Sequence, residues 1–116
     1  MFSQAIGIGV DIEDISRFRN LDFEENKNFY EKIFTKNEIE YCLRKKDPYP
    51  SFAVRFCAKE ACIKATGIPI KNYRDVEVII KNNTPTVVWS GARHLVSLSH
   101  DKDKAIAFVV VRKESI

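Results

Sequence analysis

At 116 residues the chain is one domain's worth of polypeptide, long enough to hide roughly two-thirds of its unfolded surface without staples. A composition of 45% apolar and 30% charged residues is that of a folded globular protein and excludes a disordered tail. Nineteen Lys and Arg against 16 Asp and Glu leave a net charge of +3, too small for a protein that binds nucleic acid mainly by neutralising phosphates.

Residues 1–10 are apolar, but they carry no basic segment and run into Asp11, so they do not read as a targeting signal. The longest apolar run, 105–111, is far below the ~20 residues needed to span a bilayer. Cys42, Cys57 and Cys62 are odd in number and lack CxxC spacing, which points to buried reduced thiols and a cytoplasmic protein.

Residues 5–11 read as a strand, with Ile6, Ile8 and Val10 on one face and Gly7 and Gly9 on the other. A glycine face lets a backbone, side chain or ligand come close. Asp11 ends this strand, and Ile12, Ile15, Phe18 and Leu21 begin a helical spacing, so Asp11 also suits a helix N-cap. Phe23, Phe29, Tyr30, Ile33 and Phe34 form an apolar stripe of helical period. Thr35-Lys36-Asn37-Glu38 matches a capping box that opens a helix through Leu43, and the prolines at 48 and 50 end it. The best helix is 51–66, alanine-rich and stopped by Gly67. Beyond it the period changes to two. Val76, Val78 and Ile80 alternate, Asn82-Asn83 turns, and 86–89 returns. A second hairpin joins 95–99 to 105–112. One strand, then helices, then hairpins predict a single α+β domain over 1–116 with a mainly antiparallel sheet.

The 51–66 helix carries Arg55, Lys59, Glu60 and Lys64. Glu60 and Lys64 have the favourable order for a surface ion pair, so an ordinary solvated face explains them. The alternative is a cationic cradle for a polyanion with a carboxylate available to a metal. Asp11 and Glu60 together would offer two hard oxygen ligands of the kind Mg²⁺ accepts beside waters and substrate phosphates. His100, at a turn after Val96-Ser97-Leu98-Ser99, is either structural or a donor to phosphate.

Three separated motifs occur in order: Ile8-Gly9-Val10-Asp11-Ile12, Arg55-Phe56-Cys57-Ala58-Lys59-Glu60-Ala61-Cys62-Ile63-Lys64-Ala65, and Val96-Ser97-Leu98-Ser99-His100. Together they resemble the small bacterial holo-acyl-carrier-protein synthases of the 4′-phosphopantetheinyl transferase superfamily, the middle motif being the specific one. The resemblance implies transfer of phosphopantetheine from coenzyme A to a serine of apo acyl carrier protein, in support of fatty acid biosynthesis. It implies Mg²⁺ or Mn²⁺ held by Asp11 and Glu60, with Glu60 and Lys64 catalytic. It assigns Arg55, Lys59, Lys64 and His100 to coenzyme A, and Arg17 to the acidic carrier. It also implies a homotrimer with active sites at subunit interfaces, and no nucleic-acid or membrane partner. Leu95 stands where the family often has histidine. The loop at 67–70 and the stretch 89–95 are shorter than usual. The rival readings are a non-catalytic nucleotide- or protein-binding module and a small RNA-binding domain; the latter lacks an aromatic-and-basic strand motif.

Overall fold

The computed structural model describes residues 6–116; Ala5, the expected first residue of the opening strand, lies outside them. Strand β1 (Ile6–Asp14) leads into the helices α1 (Ser16–Arg19), α2 (Lys27–Ile33), α3 (Lys36–Leu43) and α4 (Tyr49–Thr66). A 3-10 turn at Tyr73–Asp75 enters β2 (Val76–Lys81), β3 (Thr84–Trp89), β4 (Ala92–His100) and β5 (Lys104–Arg112). The strands form one open antiparallel sheet in the order β1-β5-β4-β3-β2. The predicted α+β class holds.

Three boundaries move, each for a physical reason. β1 does not stop at Asp11, because it pairs with β5 as far as Asp14 opposite Lys104. Asp11 is therefore a mid-strand residue facing inward, not an N-cap, and Ile12 is a strand residue facing out. α4 starts at Tyr49 because Pro50 falls in the first turn, where no N–H is needed. The two expected hairpins are joined by Ser90-Gly91, with φ of 53° and 76°, the left-handed pair that a two-residue hairpin turn requires. Asn82-Asn83 makes the same turn, with φ of 52° and 63°.

The inner sheet face seats α4, and the glycines of β1 are what allow it. A Cβ on Gly9 would lie 2.0 Å from the Ala61 carbonyl oxygen, and one on Gly7 2.1 Å from that of Ala65. The close approach read from the sequence is thus made by a helix backbone. Phe18, Phe23, Tyr30, Phe34 and Phe52 fill the space beneath α1 and α2, with the Tyr30 and Phe52 rings 4.7 Å apart. All three cysteines are free and buried. Burial pushes each thiol up to about 12, so they pack as inert apolar groups at neutral pH.

The outer sheet face stays bare within one chain. Ile6, Ile8, Val10 and Ile12 of β1, Leu95 of β4, and Ile106 and Phe108 of β5 are all exposed. Val10 pairs with Phe108 and Ile12 with Ile106, so the exposed apolar groups form a patch rather than scattered points. Among the described residues, no helix is long and apolar enough to cross a membrane.

Candidate active site

α4 sorts the four charged residues of the central motif onto two sides. Phe56, Glu60 and Lys64, at intervals of four, form a stripe toward β1 and the Tyr73 turn. Arg55 and Lys59 lie on the side facing α3. The single cradle read from the sequence is therefore two separate places, on different sides of the helix.

On the first side, Lys64 Nζ donates to Asp11 Oδ1 at 2.9 Å. Helical side chains tilt toward the N-terminus, so the long Lys64 arm reaches back along α4 to the strand. The Asp11 carboxylate beside it holds the Lys64 ammonium above its ordinary value. Asp11 is only 6% exposed, and its Oδ2 is buried without a hydrogen-bond partner. A buried carboxylate oxygen with nothing to accept is costly unless something else satisfies it. Glu13 follows two residues later on the same strand face. Burial, and then the neighbouring Asp11 carboxyl, raise its pKa, while Arg17, 3.0 Å away, opposes the rise.

Glu60 is placed by a residue that the sequence did not single out. Tyr73 donates its hydroxyl to Glu60 Oε2 at 2.6 Å. Desolvation and the Glu60 carboxylate push the phenol up to about 12, so it stays a donor at neutral pH. The Tyr73 ring stacks on Phe56 with centroids 6.0 Å apart, and the Arg17 guanidinium lies 4.7 Å from the Phe56 ring centre. Arg17 thus lies beside the carboxylate cluster while remaining about half exposed. Asp11 and Glu60 supply hard oxygens, and the unsatisfied Asp11 Oδ2 suits a divalent cation. Among the described residues, no group of three His, Cys, Asp or Glu side chains is arranged to hold a metal unaided. Such a cation would complete its shell from water and substrate phosphate.

The second place is a cleft of about 460 Å³ whose walls include Tyr41, Lys45, Ser51, Arg55, Ser99 and His100. The Arg55 guanidinium lies 4.4 Å over the Tyr41 ring centre and donates Nη1 to the Ser51 carbonyl at 3.0 Å. Its Nε is buried without a partner. Arg55 and His100 therefore line one cleft, from α4 and from the end of β4. Lys45 joins them, although its place in the sequence reads as a solvated helix end.

Lys59 is a correction. It was expected to contact coenzyme A, but it is fully buried and all its N–H groups are used. Nζ donates to Glu38 Oε1 at 2.8 Å and to the carbonyls of Ile33 and Tyr73, each at 2.9 Å. Burial pulls its pKa down, and the Glu38 carboxylate opposes that fall. Lys59 belongs to the core, not to a ligand surface. Glu13 and Tyr73 are the residues that sequence reasoning missed. A strand drawn to Asp14 would have put Glu13 on the face of Asp11; no local signal marks Tyr73.

A helix seated on glycines, an inward aspartate, and a Lys-Glu-x-x-x-Lys helix motif beside it define a family. Residues 7–110 match the family model described as "4′-phosphopantetheinyl transferase superfamily", and the chain belongs to that family. Among its relatives is a holo-[acyl-carrier-protein] synthase of Chlamydia felis, 40% identical over 92% of this chain and 97% of that protein. The synthase of Carboxydothermus hydrogenoformans is 36% identical over 91% and 97%. The crystal structure of the Bacillus anthracis synthase, in complex with "CoA (3′,5′-ADP)", superposes with a TM-score of 0.76 at 34% identity, covering 90% of this chain and 94% of that one. The Helicobacter pylori synthase, in complex with coenzyme A, gives 0.78 at 31% identity over 90% and 98%.

Proposed function

We propose that this protein transfers the 4′-phosphopantetheine group of coenzyme A to a serine of apo acyl carrier protein, releasing adenosine 3′,5′-bisphosphate. The observation that carries the reading is the Asp11–Lys64 pair with Glu60 on the same side of α4, on the fold of the synthases. The adenosine bisphosphate end belongs in the cleft, its phosphate on His100 and Lys45, with Arg55, 1% exposed and held over the Tyr41 ring, as the buried cation behind them.

The serine oxygen forms a bond to the pantetheine-side phosphorus, and the bond from that phosphorus to the bridging pyrophosphate oxygen breaks. Lys64 Nζ neutralises the charge that grows on the leaving phosphate. The Glu60 carboxylate takes up the serine proton directly or through a bound water. Mg²⁺, or Mn²⁺, held by Asp11 and Glu60 would supply charge neutralisation and alignment of the pyrophosphate when bound. Arg17, exposed next to these groups, meets the acidic carrier, and the +3 net charge suits that encounter.

The functional unit is a homotrimer. The bare patch of Ile8, Val10, Ile12, Ile106 and Phe108 supports self-association, since folded monomers rarely leave an apolar sheet face open to water. The three-fold count comes from the family resemblance. A cleft of about 460 Å³ is also small for all of coenzyme A, so a neighbouring subunit completes its wall. The reaction, and the absence of any spanning helix among the described residues, suit a cytoplasmic protein.

The direct test mixes the protein, coenzyme A, Mg²⁺ and a proven apo carrier, and looks for the phosphopantetheine mass on the carrier. No mass gain sinks the reading; coenzyme A binding without transfer would make the protein a binding module. Sedimentation of the same sample should give the mass of a trimer, and Ile8→Asp should shift it to monomers with loss of transfer. Arg17→Glu should raise the KM for carrier about tenfold or more, the scale of a lost charge contact at an interface. Coenzyme A affinity should barely change; equal weakening of both would reject the carrier role of Arg17.

A further inference from the structure

Glu60 is the only proposed metal carboxylate with an aromatic hydroxyl on it, and that hydroxyl is held from both ends. At the backbone end, the Tyr73 carbonyl accepts from Lys59 Nζ at 2.9 Å, and Lys59 is locked in the core by Glu38. At the ring, Tyr73 stacks on Phe56 with an interplanar angle of 12°, one helical turn before Glu60. The hydroxyl then meets Glu60 Oε2 at 2.6 Å. Glu60 Oε1 receives no hydrogen bond among the described residues, so the two oxygens are not equivalent.

We propose that Tyr73 is a positioning residue for the metal carboxylate: its hydroxyl fixes the Glu60 side chain in one orientation and leaves Oε1 free for a divalent cation. The inference rests on the transferase reading and adds to it a residue outside all three sequence motifs. A half-buried carboxylate at a helix surface otherwise samples several rotamers, and each would have to be given up when the cation binds. A hydrogen bond from a partner outside the coordination shell removes that cost in advance. Lys59 also gains a part here. It acts through the Tyr73 backbone and touches no ligand itself.

Mn²⁺ binding to the intact protein with coenzyme A present, followed by the paramagnetic resonance signal of free Mn²⁺, tests this apart from turnover. Tyr73→Phe keeps the ring and its stack but lacks the hydroxyl. Its dissociation constant for Mn²⁺ should rise about tenfold, the low end for loss of an outer-shell partner. Its thermal midpoint should fall by no more than the few degrees one hydrogen bond is worth, and its coenzyme A affinity without metal should match the wild type. Saturating Mg²⁺ should restore most of its transfer rate, whereas Glu60→Gln should not recover. Tyr73→Leu should share the metal defect and lose stability as well. Wild-type Mn²⁺ affinity in both Tyr73 variants, with an active wild type, overturns the positioning role and leaves the transferase reading standing. A wild type that neither binds Mn²⁺ nor transfers the group overturns both.

Discussion

Asp11→Ala and Glu60→Ala should each cut phosphopantetheine transfer by about 10³-fold or more, equivalent to about 4 kcal/mol of transition-state stabilisation. Their stabilities should diverge from their activities. Asp11 holds a buried carboxylate with one oxygen unsatisfied, next to a second carboxyl at Glu13. Its counterion, Lys64, has a side chain 57% exposed, so solvent screens the pair. Removing Asp11 should therefore leave the thermal midpoint unchanged or higher, the pattern of a group kept for function at the expense of stability. Glu60→Ala loses only the hydrogen bond from Tyr73 and should shift the midpoint by a few degrees. Transfer assays and thermal unfolding on the same preparations check both. Near-normal activity in both variants would remove the metal assignment, and a large fall in midpoint for Asp11→Ala would make that residue structural.

Lys59→Met should behave in the opposite way. The Lys59–Glu38 pair has both side chains at 0% exposure and a separation of 2.8 Å. Glu38 also accepts from the backbone N–H of Val78 through Oε2 and from that of Thr35 through Oε1. Breaking such a buried pair from one side costs about 3–5 kcal/mol, because the remaining charge is stranded. For a chain of this size that lowers the midpoint by roughly 10–20 °C. Adding Glu38→Gln should recover part of the loss, since the stranded charge goes with it. Well below the midpoint, coenzyme A affinity measured without divalent cation should be close to that of the wild type. A loss of that affinity with an unchanged midpoint would return Lys59 to the ligand surface.

The two residues differ because burial, not residue type, separates them. Lys59 and Lys64 sit five positions apart in one motif and have the same side chain. Helical geometry sends one beneath α3 and the other to the open edge of β1. Periodicity reads helices and strands, but the side of a helix that becomes core depends on what packs against it. For α4 the neighbours come from both ends of the chain.

Much else was legible in residue order. The Gly7 and Gly9 face announced a close backbone approach, and α4 makes it. The Thr35–Glu38 capping box is present, with Glu38 N donating to Thr35 Oγ1 at 3.1 Å. These signals are local: one face of a strand and one turn of a helix carry all the physics needed to read them. The family motifs are equally local, and Asp11, Glu60 and Lys64 each lie within one of them.

The second use of Glu38 was not local. The same carboxylate that caps α3 also neutralises Lys59, 21 residues away, and holds the β2 backbone at Val78. Tyr73 and Glu13 were hidden for the same reason. Tyr73 reaches Glu60 only after the chain has turned past Gly67, and Glu13 joins Asp11 only because β5 extends the pairing of β1 to Asp14. Length and charge set one domain of modest basicity, and local pattern set its elements and its motif residues. Which charges are buried, which carboxylate is held by a phenol, and which apolar sheet face is left bare were settled by packing between segments far apart in the chain, because burial belongs to the folded surface and not to any stretch of sequence.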